Sequence, residues 1–363
     1  MTNSVVIAGG GTGGHLYPGI ALAKALMKHD ADIEITFIGT RQGIESRVLP
    51  REGLKLKTIL SGGLLGKKGI GRWVNWIKLP VSLLQSMAFL LMHRPRLVVG
   101  VGGYVSGPVA LSAWALRIPV LIHEQNTVPG VTNRWLGKIA DTVAVTFEMS
   151  KKYFPAHKVE ATGNMIREEF SEAKEANVPA SGKFTVLVLG GSQGAHSINQ
   201  AMLDALDALA PVKDRLQIIH QTGQADEAEV KAGYEHKGFS AEVQAFIYDM
   251  ADQYRKASLI VCRAGATTLA EVTALGIPAV LVPFPFAAHN HQEHNARALE
   301  SGGAARVILD KDVSGEALAR IILDGIEHPE RLREMAEHSF QMGQRDATER
   351  VRRLCMDLMH RPY

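Results

Sequence analysis

The chain has 363 residues, of which 46% are apolar and 21% charged, and a formal net charge of +3. That length exceeds one ordinary core and predicts two domains, while a charge so near neutrality excludes a general polyanion binder, so nucleic acid is not an expected partner. The two cysteines, Cys262 and Cys355, lie far apart and form neither a disulfide framework nor a metal-ligand set, which fits a reducing cytoplasm.

No basic region precedes the first apolar run, so no signal peptide is expected. The run at residues 5–8 ends in Gly9-Gly10-Gly11-Thr12-Gly13-Gly14-His15. A strand that ends in glycines and opens a helix turns backbone N–H groups toward an anion. The loop satisfies G-x-G-x-x-G, but a dinucleotide site also needs a carboxylate at the end of the second strand. Here that strand ends Phe37-Ile38-Gly39-Thr40-Arg41, which argues against NAD. Residues 62–68 lack the spacing and the Ser/Thr of a P-loop. Asp30-Ala31-Asp32 matches the D-x-D of metal-dependent transferases of another fold, but falls in a helix–strand turn.

Further apolar runs lie at residues 35–39, 56–60, 97–101, 120–123 and 142–146, with helical patterns such as 18–29 and 107–116 between them. Leu64, Leu65, Lys67, Lys68, Arg72, Trp73, Trp76 and Lys78 mix aromatics with cations, the make-up of an interfacial membrane anchor, which Trp114 and Lys138 could join. An amphipathic core helix is the alternative. Residues 97–116 form the longest uncharged stretch, long enough for a membrane span. Its glycines and Pro108 instead predict a strand, a glycine turn and a helix. His123-Glu124-Gln125-Asn126 closes another strand as a site loop or a buried structural network.

A domain boundary is expected near residues 163–179, after which the glycine loop recurs as Gly190-Gly191-Ser192-Gln193-Gly194-Ala195-His196. Runs at 185–189, 217–221, 243–247, 259–262, 279–282 and 306–309 repeat the strand–helix alternation. Continuous apolar strands between helices indicate parallel sheets covered on both faces, hence an α/β protein of two doubly wound domains. Two anion-binding units facing one cleft predict a two-substrate enzyme. The run at 259–262 leads into Arg263-Ala264-Gly265-Ala266-Thr267-Thr268-Leu269-Ala270-Glu271, where small residues admit a diphosphate to a helix N-terminus. Arg263 reads equally as a phosphate partner or a surface charge, and Glu271 as a ribose acceptor or an ordinary helix carboxylate. In residues 283–295, His289, His291, Glu293 and His294 invite a metal reading, while Gln292 and Asn295 share a helix face suited to hydroxyls. Residues 346–360 form an amphipathic helix with Val351, Leu354, Cys355, Leu358 and Met359 on one side, expected to pack back across the domain junction.

Together these motifs resemble one family over essentially the whole chain, from Val5 to Asp346-Ala347-Thr348-Glu349-Arg350: the MurG transferases, which move GlcNAc from UDP-GlcNAc onto lipid I to make lipid II for peptidoglycan. The resemblance implies a GT-B fold of two Rossmann-like domains. Residues 1–163 would be the acceptor-binding, membrane-associating domain, 164–345 the UDP-GlcNAc-binding domain, and 346–363 a helix returning to the first. It implies that Ser192 and the turn Ala266, Thr267, Thr268, continued by Leu269 and Ala270, meet the donor phosphates. Glu271 would hold the ribose, the Ile247 backbone the uracil edge, and Arg167 would border the nucleotide. Gln292 and Asn126 would contact GlcNAc with Asn295 and His291 close by, and Thr12, Gly13 and Gly14 would approach the sugar from the acceptor side, where Gly103 and Tyr104 also lie. The segment after Pro283 is one residue longer than in familiar members, which leaves His289 and His291 without assigned roles.

The family reaction is an inverting displacement that needs a general base and a stabilised leaving group. His15 is the candidate base, at a helix start whose dipole disfavours the imidazolium; His123 and Glu124 are rivals, and an orienting role for His15 is the alternative. Helix N-termini can stabilise departing UDP, so no cofactor or metal is expected beyond UDP-GlcNAc as substrate. Expected partners are UDP-GlcNAc, lipid I, the anionic membrane surface and cell-wall synthesis proteins. The expected location is peripheral, on the cytoplasmic face of the bacterial inner membrane, in a role bearing on cell shape and division. Another UDP-sugar GT-B transferase, a UDP-GlcNAc 2-epimerase and a non-enzymatic scaffold are the other readings.

Overall fold

A computed structural model describes residues 3–62, 70–176, 182–191 and 193–360, with the backbone alone at 70–77. The chain divides into two compact units, Met1–Arg167 with Asp346–Tyr363, and Glu168–Arg345. The first unit extends past residue 163 because the tail holds the next residues: Met165 enters its core, and the Thr348 hydroxyl accepts from Ile166 N–H at 3.0 Å and donates to Ile166 C=O at 2.8 Å.

In the first unit the apolar runs become β1 (Ser4–Ala8), β2 (Glu34–Gly39), β3 (Lys55–Thr58), β4 (Leu97–Gly100), β5 (Val120–Glu124), β6 (Thr142–Val145) and β7 (Val159–Ala161). They form one sheet in the order β3-β2-β1-β4-β5-β6-β7, with every pairing parallel. Successive side chains alternate faces. Val5, Ile7, Val99 and Phe37 therefore pack beneath the helix Gly13–His29, while Val6, Ala8, Val98 and Ile122 join the opposite core with Val109 and Ala113. β7 escapes the sequence reading because it is a three-residue edge strand without an apolar run. The tail helix Ala347–His360 buries Val351, Cys355, Leu358 and Met359 beside Leu16 and Ile20 of the first unit. Their three- and four-residue spacing keeps them on one helix face.

The second unit contains β8 (Phe184–Leu189), β9 (Leu216–Gln221), β10 (Ala241–Gln244), β11 (Leu259–Cys262), β12 (Ala279–Leu281) and β13 (Ala305–Val307). Their order is β10-β9-β8-β11-β12-β13, again all parallel. β10 stops at Gln244, short of the expected Ile247, whose N–H bonds the Gln221 side chain at 2.9 Å.

In each sheet the strand order reverses beside the first strand, between β1 and β4 and between β8 and β11. Connections leave such neighbours in opposite directions and open a crevice at their C-terminal ends, where α/β ligands bind. The glycine loops after β1, β4 and β8 and the small-residue turn after β11 all sit at these two points. Residues 97–116 are β4, a turn and the helix Ser106–Ala115. Among the described residues no helix is long and apolar enough to cross a membrane.

Candidate active site

In the first unit, Gly10 and Gly11 have φ of 146° and 85°, backbone that a side chain would strain. The β4 loop lies directly against them: a Cβ on Gly103 would come 2.7 Å from Gly10 O. A Cβ on Gly102 would come 2.2 Å from His15 Cδ2, so the imidazole packs on bare backbone. The buried Ser106 hydroxyl donates to Ala8 O at 2.7 Å and accepts from Gly102 N–H at 3.0 Å, pinning the two loops together. Against the first of these loops lies Glu45, fully buried at the start of the helix Glu45–Arg51. Its carboxylate accepts from Gly11 N–H at 2.8 Å, Thr40 N–H at 2.7 Å and the Thr40 hydroxyl at 2.8 Å. The carboxylate absent from the end of β2 thus arrives from six residues further on. The expectation that the first loop offers its N–H groups to a substrate anion is corrected at Gly11, whose N–H is committed to Glu45.

His15 is half-buried in the first turn of its helix, with Nδ1 3.0 Å from Thr12 Oγ1. The rivals sit deeper. His123 is fully buried, bonded through Nε2 to Gly163 O at 3.0 Å, and burial lowers its pKa to about 4. Glu124 is buried, which raises its pKa, and it accepts from Asn126 N–H and Nδ2, Gly130 N–H and Asn133 Nδ2. His123 sits inside the sheet and Glu124 ties its own loop together, so both are less accessible than His15. Asn126 stays half-exposed on that loop, and Tyr104 is exposed. Arg167 closes the first unit with its guanidinium 5.3 Å over the Tyr17 ring.

In the second unit the repeated loop is held differently. Gln221 donates from Nε2 to Gly191 O at 3.0 Å, and its Oε1 accepts from Ile247 N–H. A uracil edge would therefore have to displace Gln221 to reach the Ile247 amide. Gly194 has φ of 80° and would place a Cβ 2.2 Å from Thr222 O. Ser192 lies outside the described residues. A polar chain runs inward from the loop: His196 bonds Asp226, Asp226 bonds Asn199, Asn199 bonds His220, and His220 bonds Tyr234. Burial lowers the His220 pKa to about 3.

The helix Ala266–Leu275 starts after Gly265, with Ala266 and Thr267 buried, Leu269 in the core, and Thr268 and Ala270 half-buried. One turn in, Glu271 is 7% exposed and accepts from the Tyr254 hydroxyl at 3.3 Å. Arg263 is neither a surface charge nor an open phosphate partner: it pairs with Asp310 at 2.5 Å and donates to Val282 O, Pro283 O and Ser197 Oγ. In the segment after β12, His289 and Asn290 both have φ of 53°, a costly backbone for such residues that clusters at functional sites. Gln292 is half-buried and accepts from Phe284 N–H at 3.0 Å. Asn295, expected beside the sugar, is fully buried and donates to Ala264 O at 3.4 Å, so it braces the turn before the helix instead. His291 bonds Ala288 O, and burial lowers its pKa. Among the described residues no group of three or more His, Cys, Asp or Glu side chains is placed to hold a metal ion.

Of the anchor segment, Leu64, Leu65, Lys67 and Lys68 lie outside the described residues, as do the side chains of Arg72, Trp73 and Trp76; Lys78 is half-buried. The neighbouring helices Ser106–Ala115 and Val131–Ile139 expose Leu111, Trp114, Val131 and Trp135, with Lys138 Nζ 4.5 Å over the Trp135 ring. Sequence reasoning missed Glu45, Gln221 and Trp135. The first two act through contacts between strands that no linear spacing displays.

Two family models cover the chain: the glycosyltransferase family 28 N-terminal domain over residues 5–145 and its C-terminal domain over 185–351. The UDP-N-acetylglucosamine–N-acetylmuramyl-(pentapeptide) pyrophosphoryl-undecaprenol N-acetylglucosamine transferase of Myxococcus xanthus is 46% identical over 98% of this chain and 93% of its own length. The transferase of the same name from Geobacter sulfurreducens is 46% identical over 96% of each. The crystal structure of Acinetobacter baumannii MurG matches with a TM-score of 0.77 at 32% identity, covering 98% of this chain and 99% of that one. The Neisseria meningitidis UDP-GlcNAc 2-epimerase matches with a TM-score of 0.68 at 13% identity over 98% and 100%, a likeness of fold alone. With both domain models in order and close relatives along nearly its full length, the chain belongs to glycosyltransferase family 28, as a GT-B enzyme of the MurG GlcNAc transferases.

Proposed function

We infer that this chain carries out the reaction for which its relatives are named: transfer of GlcNAc from UDP-GlcNAc to undecaprenyl-pyrophosphoryl-MurNAc-pentapeptide, forming lipid II. The observation that carries it is near full-length likeness to those transferases, joined to glycine or small-residue turns at the switch points of both sheets.

The MurNAc 4-hydroxyl attacks the GlcNAc anomeric carbon, the bond from that carbon to the UDP oxygen breaks, and the hydroxyl proton passes to His15. With the proton on Nδ1 and Thr12 Oγ1, 3.0 Å away, accepting it, Nε2 is the basic nitrogen that takes the hydroxyl proton. The second unit receives the donor. Ser192 and the Ala266–Thr268 turn meet the diphosphate, where a helix N-terminus disperses the charge growing on departing UDP. Glu271, braced by Tyr254, accepts from the ribose hydroxyls, the Ile247 backbone meets the uracil edge once Gln221 gives up its N–H, and Gln292 meets the sugar. Asn126 contacts the GlcNAc from the first unit, and Gly103 and Tyr104 face the acceptor. No metal is required.

Incubation with UDP-GlcNAc and a short-chain lipid I analogue tests the reading. UDP release only with acceptor is the expected result; ManNAc or UDP-ManNAc without acceptor would favour epimerisation, and binding without turnover a scaffold.

The enzyme works peripherally at the cytoplasmic face of the membrane. Trp114 and Trp135, beside Lys138, suit the headgroup region, where aromatics insert and cations meet anionic lipid. Replacing Trp73, Trp76, Trp114 and Trp135 by Ser should abolish flotation with anionic liposomes; unchanged flotation would refute this placement.

A further inference from the structure

We propose that Glu45 is a positioning residue for the transfer reaction, fixing the first glycine loop and with it Thr12 and His15. The proposal rests on the reading of His15 as the base.

Three separate glycines find one explanation in this carboxylate. A Cβ on Gly10 would lie 2.5 Å from Glu45 Cδ, one on Gly39 2.6 Å from its Cγ, and one on Gly43 2.0 Å from its Oε2. What look in the sequence like independent turn signals are one cradle, closed by the three donors on the carboxylate and by Gly43 N–H on Thr40 Oγ1 at 3.1 Å. In glycine loops of this kind an anionic ligand takes the place facing the backbone N–H groups. Here the protein supplies the anion itself at Gly11, so the loop has its shape before substrate arrives.

The shape is passed on by contact. Gly10 O presses on Gly103, Gly102 backs the His15 ring, and Thr12 Oγ1 holds His15 Nδ1. Glu45 touches none of the reacting groups; it acts through the loop. Displacements of about 1 Å at a reacting group cost up to about 10²-fold in rate, so losing the Gly11 anchor should appear in kcat. The residues assigned to the diphosphate, ribose and uracil, Arg167 apart, belong to the other unit, so affinity for UDP itself should be unaffected.

Glu45→Gln keeps the side-chain shape but gives three donors a neutral partner that presents an N–H₂ of its own. The full-length variant should lose at least about tenfold in kcat, with Kd for UDP within about twofold of wild type. Wild-type kcat in the folded variant, with or without a lowered Tm, would overturn the proposal, as would a loss confined to donor KM. If Glu45→Gln does not fold, Thr40→Val removes the hydroxyl that donates to Glu45 and accepts from Gly43 N–H and reads the same split at smaller size; unchanged kcat there overturns the proposal. His15→Ala run in parallel separates the two readings. A dead His15→Ala beside a normal Glu45→Gln refutes positioning alone. Full activity of His15→Ala with a slow Glu45→Gln keeps Glu45 as the loop's anchor and moves the base to another group.

Discussion

Beneath the first glycine loop lies a buried carboxylate, Glu45, and beneath the second a neutral amide, Gln221. The first support accepts from a loop N–H; the second donates to a loop carbonyl. An anion at the first loop would meet the like charge of the Glu45 carboxylate, with Gly11 N–H already engaged. The underpinning thus disfavours a diphosphate at the first loop and tolerates one at the second. Two loops that look interchangeable as glycine patterns are built for different work: the first is closed by the protein's own carboxylate beside His15, and the second carries no such charge beneath it, as the proposed diphosphate site requires.

The largest effect expected from this division is on chemistry. His15→Ala should lower kcat about 10²–10⁴-fold with little change in KM for UDP-GlcNAc, measured with a soluble acceptor; a donor-KM effect instead would erase the distinction between the loops. Glycine substitutions should sharpen it. Gly102→Ala drives a methyl group into the His15 ring and should cost up to about 10² in kcat. Gly194→Ala, with its Cβ against Thr222 O, should raise donor KM and lower Tm while sparing turnover at saturating donor.

Acid stability distinguishes the units less steeply. His123 in the first and His220 in the second are neutral when folded, with burial lowering their pKa values to about 4 and about 3. Unfolded histidines take up protons near pH 6.5, so each contributes stability that is full above that pH and lost as pH falls toward the folded value. Between pH 7 and 5 each loss is roughly 2 kcal/mol. Buried Glu124, whose raised pKa makes its contribution grow as pH falls, opposes the loss in the first unit only. Urea unfolding should therefore show the second unit weakening faster in acid, and His220→Gln should flatten its slope. The smallest effect concerns metals: turnover should persist in EDTA, and rescue by one divalent ion after loss would require a metal at the second loop.

The strands were legible because both sheets are covered on two faces, so β1, β4, β5, β8 and β11 read as short apolar runs ending in glycine or polar residues. β7 was not, since a three-residue edge strand has no apolar face to display. Chemical type also misled where burial decided the role. Asn295 and Glu124 carry the right groups for sugar and proton, yet both are buried against their own chain. His15 and Asn126 have the same polarity and remain half-exposed.

By itself the sequence determined the two doubly wound domains, the glycine turns at their strand ends and the family, because local backbone needs and alternating apolar runs are written in order along the chain. Tertiary structure decided which glycine serves which neighbour. Strand order places β4 beside β1, so Gly102 meets His15 and Gly103 meets Gly10. The return of the chain after β2 brings Glu45 against Gly10 and Gly11. A carboxylate's role depends on the donors and the solvent around it, and those are set by contacts between segments that lie far apart in sequence.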